Sequence, residues 1–402
     1  MIRVNNIHLS LDYDDKSVRK AVAQQLRIEE KSIKSCKIFR RSVDARKKDN
    51  IYFLTTVDAE LNINEDKVCK KCGNAQIARK YEYNQMKFGN APSPIVVGAG
   101  PAGLFAALIL ARSGANPILI ERGRDVDRRT ADVNRFWTSG KLDITSNVQF
   151  GEGGAGTFSD GKLNSGTKDI RQRKVLEEFV SHGAPDEILY NAKPHIGTDM
   201  LKGTIKNIRN EIIELGGRVM FETKLVSMAF SDNKLKSITV ETANGDEIIE
   251  TDNVILAIGH SARDTFEMLY DLKLPIEAKP FSVGARIEHL RQKVDKAQYG
   301  RFAGNKKLGS ANYKLSTHLD NGRGVYTFCM CPGGKVVNAS SEKNRLCTNG
   351  MSEFARNADN SNSALLVGIN PDDYESDHPL AGMYLQRKLE SVSYTHLTLP
   401  TT

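Results

Sequence analysis

IVVGAGPAGLFAALILARSGANPILIERG, residues 95–123, is the stretch from which the fold can be read. A short apolar run enters a glycine turn, an apolar helix stops at Gly114, and a second apolar run leads to Glu121. Strand, helix and strand in that order form a βαβ unit, which implies a parallel sheet with helices on its faces. Gly98 allows the tight turn, Gly100 lets the backbone approach a pyrophosphate, and Gly103 lets helix and strand pack closely. Pro101 and Ala102 open the helix, whose free N–H groups and positive dipole end face phosphate. Glu121 closes the second strand, where a carboxylate can accept ribose hydroxyls. The segment reads as a dinucleotide site; the competing reading is a glycine turn kept only for packing.

Two further segments belong to the same chemistry. FGEGGAGTFSDGKL, residues 150–163, is glycine at 151, 153, 154, 156 and 161. Such density has an entropic cost and makes sense where backbone lies against a flat or charged ligand. Successive N–H groups can form an anion nest, with Thr157, Ser159, Asp160 and Lys162 as polar contacts; a flexible surface loop is the alternative. NVILAIGHSARDT, residues 253–265, brings a buried strand to Gly259, so backbone can pass close to a ligand at the carboxyl edge of the sheet. His260 follows directly and is the candidate catalytic group, against the usual structural role of a lone histidine.

Composition narrows the class. With 402 residues, 40% apolar and 26% charged, the chain reads as a globular protein of two or three domains. Pro94–Ala111 is barely long enough for a membrane span and has four helix-disfavouring residues in its middle, so strand, turn and buried helix explain it better. No membrane association is expected. The N-terminus lacks the pattern of a secretory signal. Six cysteines are too few for a disulfide scaffold, so reduced thiols and a cytoplasmic location are expected. The formal charge of +8 is uneven, with +7 in residues 1–91.

GAGPAG…ERG, GEGGAGTFSDGKL, AIGHSARDT, FSVGARIEH and FCMCPGG, with RRSVDARKK at residues 40–48, together resemble the bacterial family of uncharacterised FAD-dependent dehydrogenases. These are relatives of the glutathione-reductase-type flavoproteins and of the electron-transfer-flavoprotein dehydrogenase group. The resemblance runs to about Asn370 and implies non-covalently bound FAD. Gly98, Gly100, Ala102 and Gly103 would face the pyrophosphate, and Glu121 and Arg122 the adenosine ribose. Leu225 would touch adenine through its backbone. Gly153, Gly154, Ala155, Gly156 and Thr157 would lie by the pyrophosphate and isoalloxazine, and Gly259 near the adenosine half. The chain departs from such flavoproteins in showing no late glycine-rich segment for the ribityl chain and flavin ring. Only one nucleotide fingerprint occurs. Either NAD(P)H docks without a domain of its own, or electrons come from a small-molecule substrate or a redox partner protein.

The expected architecture is α/β: a Rossmann-like FAD-binding domain of the glutathione-reductase type, an interleaved mixed β-rich substrate domain and an N-terminal α/β module. Residues 1–91 are the basic module and a linker. The FAD-binding domain takes 92–166 and 195–272, its final segment missing, with a helical insertion at 167–194. The substrate domain takes 273–390. Residues 391–402, SVSYTHLTLPTT, read as a non-native tail. Codons can be chosen there that reproduce the adapter of a common transposase-based sequencing library, and the natural chain is expected to run on past about Glu390.

Weaker signals remain. Arg286, Glu288, Cys329 and Cys331 are expected on the substrate side. Packed thiols are the leading reading of the two cysteines, because adjacent Cys-x-Cys disulfides are strained; a redox or substrate-contact role and a metal ligand are the alternatives. Cys69 and Cys72 have zinc-knuckle spacing without a second pair, so no metal is expected. Arg40, Arg41, Arg46, Lys47 and Lys48 form either a solvated charged face or a nucleic-acid surface on residues 1–60. The function implied is hydride or electron transfer through FAD. The alternatives are an RNA-associated flavoprotein and a non-catalytic FAD-binding protein.

Overall fold

In the computed structural model, which describes residues 1–79, 81–88, 93–167 and 169–398, the chain opens with an antiparallel sheet. Its elements are β1 (Ile2–Leu9), α1 (Asp15–Leu26), β2 (Ile33–Asp44), β3 (Tyr52–Leu61), α2 (Glu65–Lys71) and β4 (Ala75–Ile77), in sheet order β2-β3-β1-β4. In β1 the register shifts between Val4 and Ile7. That shift keeps Ile2, Val4, Ile7 and Leu9 all inside, against Val18, Val22 and Leu26 of α1. Within residues 1–91, α2 and β4 belong to the module rather than to the linker, β4 extending the sheet with Ile2 pairing with Ile77. Cys69 and Cys72 pack against this core, and Cys72 Sγ lies 3.4 Å from the Gln25 carbonyl.

The next elements are β5 (Ile95–Val97), α3 (Pro101–Arg112), β6 (Ile118–Ile120), α4 (Val126–Ser139), α5 (Arg171–Ser181), α6 (Thr198–Glu214) and β7 (Arg218–Met220). They are followed by β8 (Lys224–Ser231), β9 (Lys234–Thr242), β10 (Gly245–Glu250), β11 (Val254–Leu256) and α7 (Arg263–Asp271). The parallel sheet has the order β11-β5-β6-β7. From β5 the chain winds outward through β6 and β7, then returns to lay β11 on the other side of β5. A crevice opens at the carboxyl ends of strands where the winding reverses in this way.

Alternation along the strands divides the two faces. Val96 and Leu119 pack under α3, α5 and α6, while Ile95, Val97 and Ile120 meet the β8–β10 sheet and α7. The expected helical insertion at 167–194 is corrected accordingly. Phe179, Ala184 and Ile188 lie in the same core as Leu104 and Leu108, and Arg112 of α3 bonds both Glu178 of α5 and Glu211 of α6.

The remaining elements are β12 (Phe281–Leu290), α8 (Arg291–Tyr299), β13 (Ser316–His318), β14 (Gly324–Cys331), β15 (Lys335–Asn338), β16 (Thr348–Met351), β17 (Asn360–Ile369) and α9 (Ala381–Thr398). An antiparallel sheet of order β12-β17-β14-β13 stands beside a β15–β16 hairpin. The N-terminal core does not close on itself: Val294, Tyr299, Leu308 and Met330 are part of it. The edge of β2 is fastened too, Arg41 N donating to the Tyr190 carbonyl (2.7 Å) and Ala192 N to the Arg41 carbonyl (2.8 Å). Residues 391–398 continue α9; the end of the expected tail lies outside the described residues.

Candidate functional site

Three glycine-bearing segments line one crevice. The turn after β5, the loop at 149–156 and the segment after β11 enclose a cavity of about 720 Å³ at the carboxyl ends of the parallel strands. Its glycines divide by what an added Cβ would meet. At Gly98 (φ 101°) a Cβ would stand 2.5 Å from the Ala257 carbonyl oxygen, and at Gly103 1.8 Å from that of Gly98. Those two are there for backbone packing. At Gly100 the nearest atom is Gly154 Cα, 3.9 Å away, and at Gly156 and Gly259 nothing lies within 4 Å. These three leave bare backbone facing the cavity. Gly153 N donates to the Ala99 carbonyl (2.7 Å), which locks the first two segments together. α3 begins at this junction with no side-chain cap, so its first N–H groups are available to an anion. Bare backbone, free amides and a long crevice fit a diphosphate-linked planar ligand.

One side chain missed by sequence reasoning shapes the second segment. Arg129 of α4 has no solvent exposure. Nε donates to the Asn147 carbonyl (2.8 Å), Nη1 to those of Gly151 and Glu152 (3.3 and 2.6 Å) and Nη2 to those of Val148 and Gly154 (both 2.9 Å). Burial lowers its pKa to about 10, opposed by Glu121 and Glu152, so it stays charged at neutral pH. Burying an ion costs several kcal/mol, whereas hydrogen bonds to charged groups contribute roughly 1.5–3 kcal/mol each. Five of them offset the desolvation and fix the loop. Nothing around Arg129 in the sequence marks it, since an arginine in a polar helix is ordinarily solvated.

Several expected contacts are corrected by this geometry. Glu121 reaches the cavity wall, but its carboxylate already accepts from the backbone N–H of Ala99, Gly123 and Gly151 (2.8, 2.9 and 3.0 Å). It clips the two glycine segments together rather than standing free for ribose. Arg122 lines the cavity with its guanidinium paired to Asp264 (2.9 Å) and stacked 4.5 Å over Phe150. Gly154, Ala155, Gly156, Leu225, Gly259, Pro101 and Ala102 all line the cavity. Gly153 and Thr157 lie behind it, Thr157 fully buried with its hydroxyl on the Glu152 carbonyl (3.3 Å). Asp160 and Lys162 are also outside it. The chain turns at Gly161 (φ 64°), and Asp160 is bound by Arg356 (2.9 Å) and paired with Lys162.

His260 is at the cavity, its Nε2 3.1 Å from Gln386 Nε2 of α9. The surrounding protein and the Arg263 guanidinium hold its pKa below the usual imidazole value, with Glu390 pulling the other way. The shift favours the neutral ring, and the residue is exposed at the cavity. Arg286, Glu288, Cys329 and Cys331 do not line this cavity. Arg286 pairs with Asn362 and the Cys329 carbonyl rather than with Glu288, which is exposed. His289 takes the opposite face of β12, on a separate apolar groove of about 500 Å³. The basic run of the N-terminal module is partly consumed internally, Arg41 by Tyr13, Glu187 and Asn191, and Arg46 by Asp44.

Comparison with known proteins agrees with this geometry. A family model described as an FAD binding domain matches residues 93–132, and one described as an FAD-dependent protein C-terminal domain matches 280–399. A domain of unknown function matches 1–60. An uncharacterised protein of Clostridium beijerinckii is 47% identical over 399 residues, covering 98% of this chain and 74% of that protein. Among solved structures, a glycerol-3-phosphate dehydrogenase from Bacillus halodurans complexed with FAD overlaps at TM-score 0.33 and 13% identity, over 78% of this chain and 54% of that one. A 3-ketosteroid dehydrogenase from Rhodococcus jostii overlaps at 0.33 and 14%, over 62% and 70%. Scores this low say nothing about the reaction.

Two substitutions separate the glycine roles. Gly100→Ala, with open space before it, should leave the unfolding midpoint unchanged and weaken FAD binding by about tenfold or more, as a methyl displaces the closest backbone approach. Gly103→Ala should instead cost about 3 kcal/mol or more through collision with Gly98. Equal effects of the two on stability would refute the division. Arg129→Met, which strips a charged donor from five buried carbonyls, should lower stability in urea by roughly 3–5 kcal/mol.

Proposed function

We propose, from the premise that this chain belongs to the family of the uncharacterised Clostridium beijerinckii protein and carries an FAD-binding segment, that it is an FAD-dependent oxidoreductase. The observation that carries the reading is the meeting of Gly100 and Gly154 at the uncapped start of α3, inside a cavity of about 720 Å³. FAD bound there supplies reversible hydride or electron transfer. The N–H groups of Ala102 and Gly103 take the diphosphate, with the bare backbone of Gly154–Gly156 alongside. Leu225 and Gly259 border the adenosine half, beside Arg122, which Asp264 holds in place. A mixed sheet domain of the glutathione-reductase type, with the β12–β17 sheet on the substrate side, is the arrangement this reading favours.

His260 acts in this scheme as a proton acceptor. Its depressed pKa favours the neutral ring, whose Nε2 accepts the Gln386 amide N–H and is the atom that takes the proton once that amide yields. A small-molecule donor, NAD(P)H or a redox protein would each deliver electrons without a second nucleotide fold. A cytoplasmic setting suits six unpaired cysteines; among the described residues no helix is long and apolar enough to cross a membrane.

The test is the visible spectrum of the purified full chain, with and without added FAD, followed by anaerobic addition of NADH or NADPH. Flavin absorption that bleaches with a donor is expected; a colourless protein that refuses FAD overturns the reading. Once a donor is found, reduction should slow as pH falls through the depressed imidazole pKa, because protonated His260 cannot accept a proton. His260→Gln should retain the flavin spectrum, lose that acid limb and slow reduction by about 100-fold or more.

A further inference from the structure

Cys329-Met330-Cys331 ends β14 at an irregularity. Phe328 pairs with Ala364 and Cys331 with Asn362, so β14 carries one extra residue between those points. Cys329 has φ 47°, a left-handed backbone that costs a non-glycine residue on the order of 1–3 kcal/mol. Met330 is buried in the core shared with the N-terminal sheet, while the Cys331 sulfur meets Lys162 Nζ at 3.6 Å. Arg286 of β12 donates to the Cys329 carbonyl (3.2 Å) and to Asn362 Oδ1 (2.5 Å). Asn362 is fully buried, yet its Nδ2 has no partner. Gly350 closes over the group: a Cβ there would stand 2.5 Å from the Arg286 guanidinium and 2.7 Å from the Cys331 sulfur. The Cys331 thiol, two cations and a free amide donor thus converge beside Cys329, where backbone strain is tolerated.

We propose that Cys329 and Cys331 form a redox-active dithiol that exchanges with low-molecular-weight disulfides. Cys329 is the partly exposed member and attacks; Cys331 is buried and resolves. The Cys329 thiolate bonds to one sulfur of R–S–S–R and expels R–S⁻. Cys331 gives up its proton, attacks the Cys329 sulfur and expels the second R–S⁻, which that proton can neutralise. Two electrons pass from the dithiol to the substrate, leaving a Cys329–Cys331 disulfide. The inference stands apart from the flavin reading, since neither sulfur lines the FAD cavity.

The surrounding charges suit this chemistry. Contact with the Cys331 thiol lowers the Cys329 pKa most, burial opposes it, and Lys162 and Arg286 lower it further. The same contact, with burial, pushes Cys331 far up, Lys162 opposing and Asp160 adding to the rise. The pair therefore loses one proton easily and keeps the other. A disulfide across one intervening residue is strained, and strained disulfides have the more oxidising potentials, so excess small disulfide drives the Cys329–Cys331 link to form and free thiol readily opens it again.

The test uses the full chain, oxidised glutathione as probe, and peptide mapping after alkylation. Wild type should release two thiols per chain and yield a Cys329–Cys331 link. Cys331→Ser should stop at one released thiol with glutathione held on Cys329, and Cys329→Ser should form no adduct at Cys331. At mildly acidic pH, iodoacetamide should label Cys329 about tenfold or more faster than Cys347, whose thiol burial pushes up to about 11. Lys162→Met should slow Cys329 labelling, and Lys162→Arg should restore it. No link in wild type, or Cys329 labelling no faster than Cys347 in protein whose unfolding midpoint is normal, overturns the proposal.

Discussion

A guanidinium sealed from water holds the candidate site in shape. Arg129 gathers the carbonyls of Asn147, Val148, Gly151, Glu152 and Gly154 around one centre. A segment so rich in glycine would otherwise sample many conformations, and the entropy of ordering it is large. By satisfying the carbonyls from inside, Arg129 leaves Gly154, Ala155 and Gly156 toward the cavity. Glu121 complements it from the amide side, taking N–H groups from both glycine segments. One cation on the carbonyls and one anion on the amides make a rigid cradle from chain that has almost no side chains of its own.

The rest of the molecule backs this cradle. Gly98 and Gly103 let β5, α3 and the end of β11 approach to backbone contact, so the crevice falls where the sheet reverses its winding. Across the crevice Arg263, almost fully buried, bonds Glu342 and Glu390 (both 2.6 Å) and joins the start of α7 to the C-terminal helix. Gln386 of that same helix meets His260. The position of α9 is thereby coupled to the imidazole at the cavity.

What could be read in the sequence was whatever depends on neighbours along the chain. The βαβ unit and the glycines that must be bare follow from local pattern, and the cavity forms among them. Asp160 and Lys162 were assigned to the cofactor by proximity in sequence, but a positive φ at Gly161 sends the chain toward Arg356 and Cys331 instead. Arg129 left no trace because its partners are carbonyls, which every residue has. Apolar side chains from distant segments close the same cores, which the segments taken one by one do not reveal. Segment composition says that a surface must be covered but not by what.

The hydrogen bonds along the outer margin of β2 have a mechanical consequence. Arg41 exchanges main-chain bonds with Tyr190 and Ala192, so the first sheet is spliced to the helical layer beneath the crevice instead of hanging from a tether. Any swivel of the amino-terminal unit would tear two ladder rungs and pull Met330 from its socket. The unit and the nucleotide-facing layer are thus geared to move as a single lever, and a row of donors and acceptors that could recruit a stray strand is blunted in the same stroke.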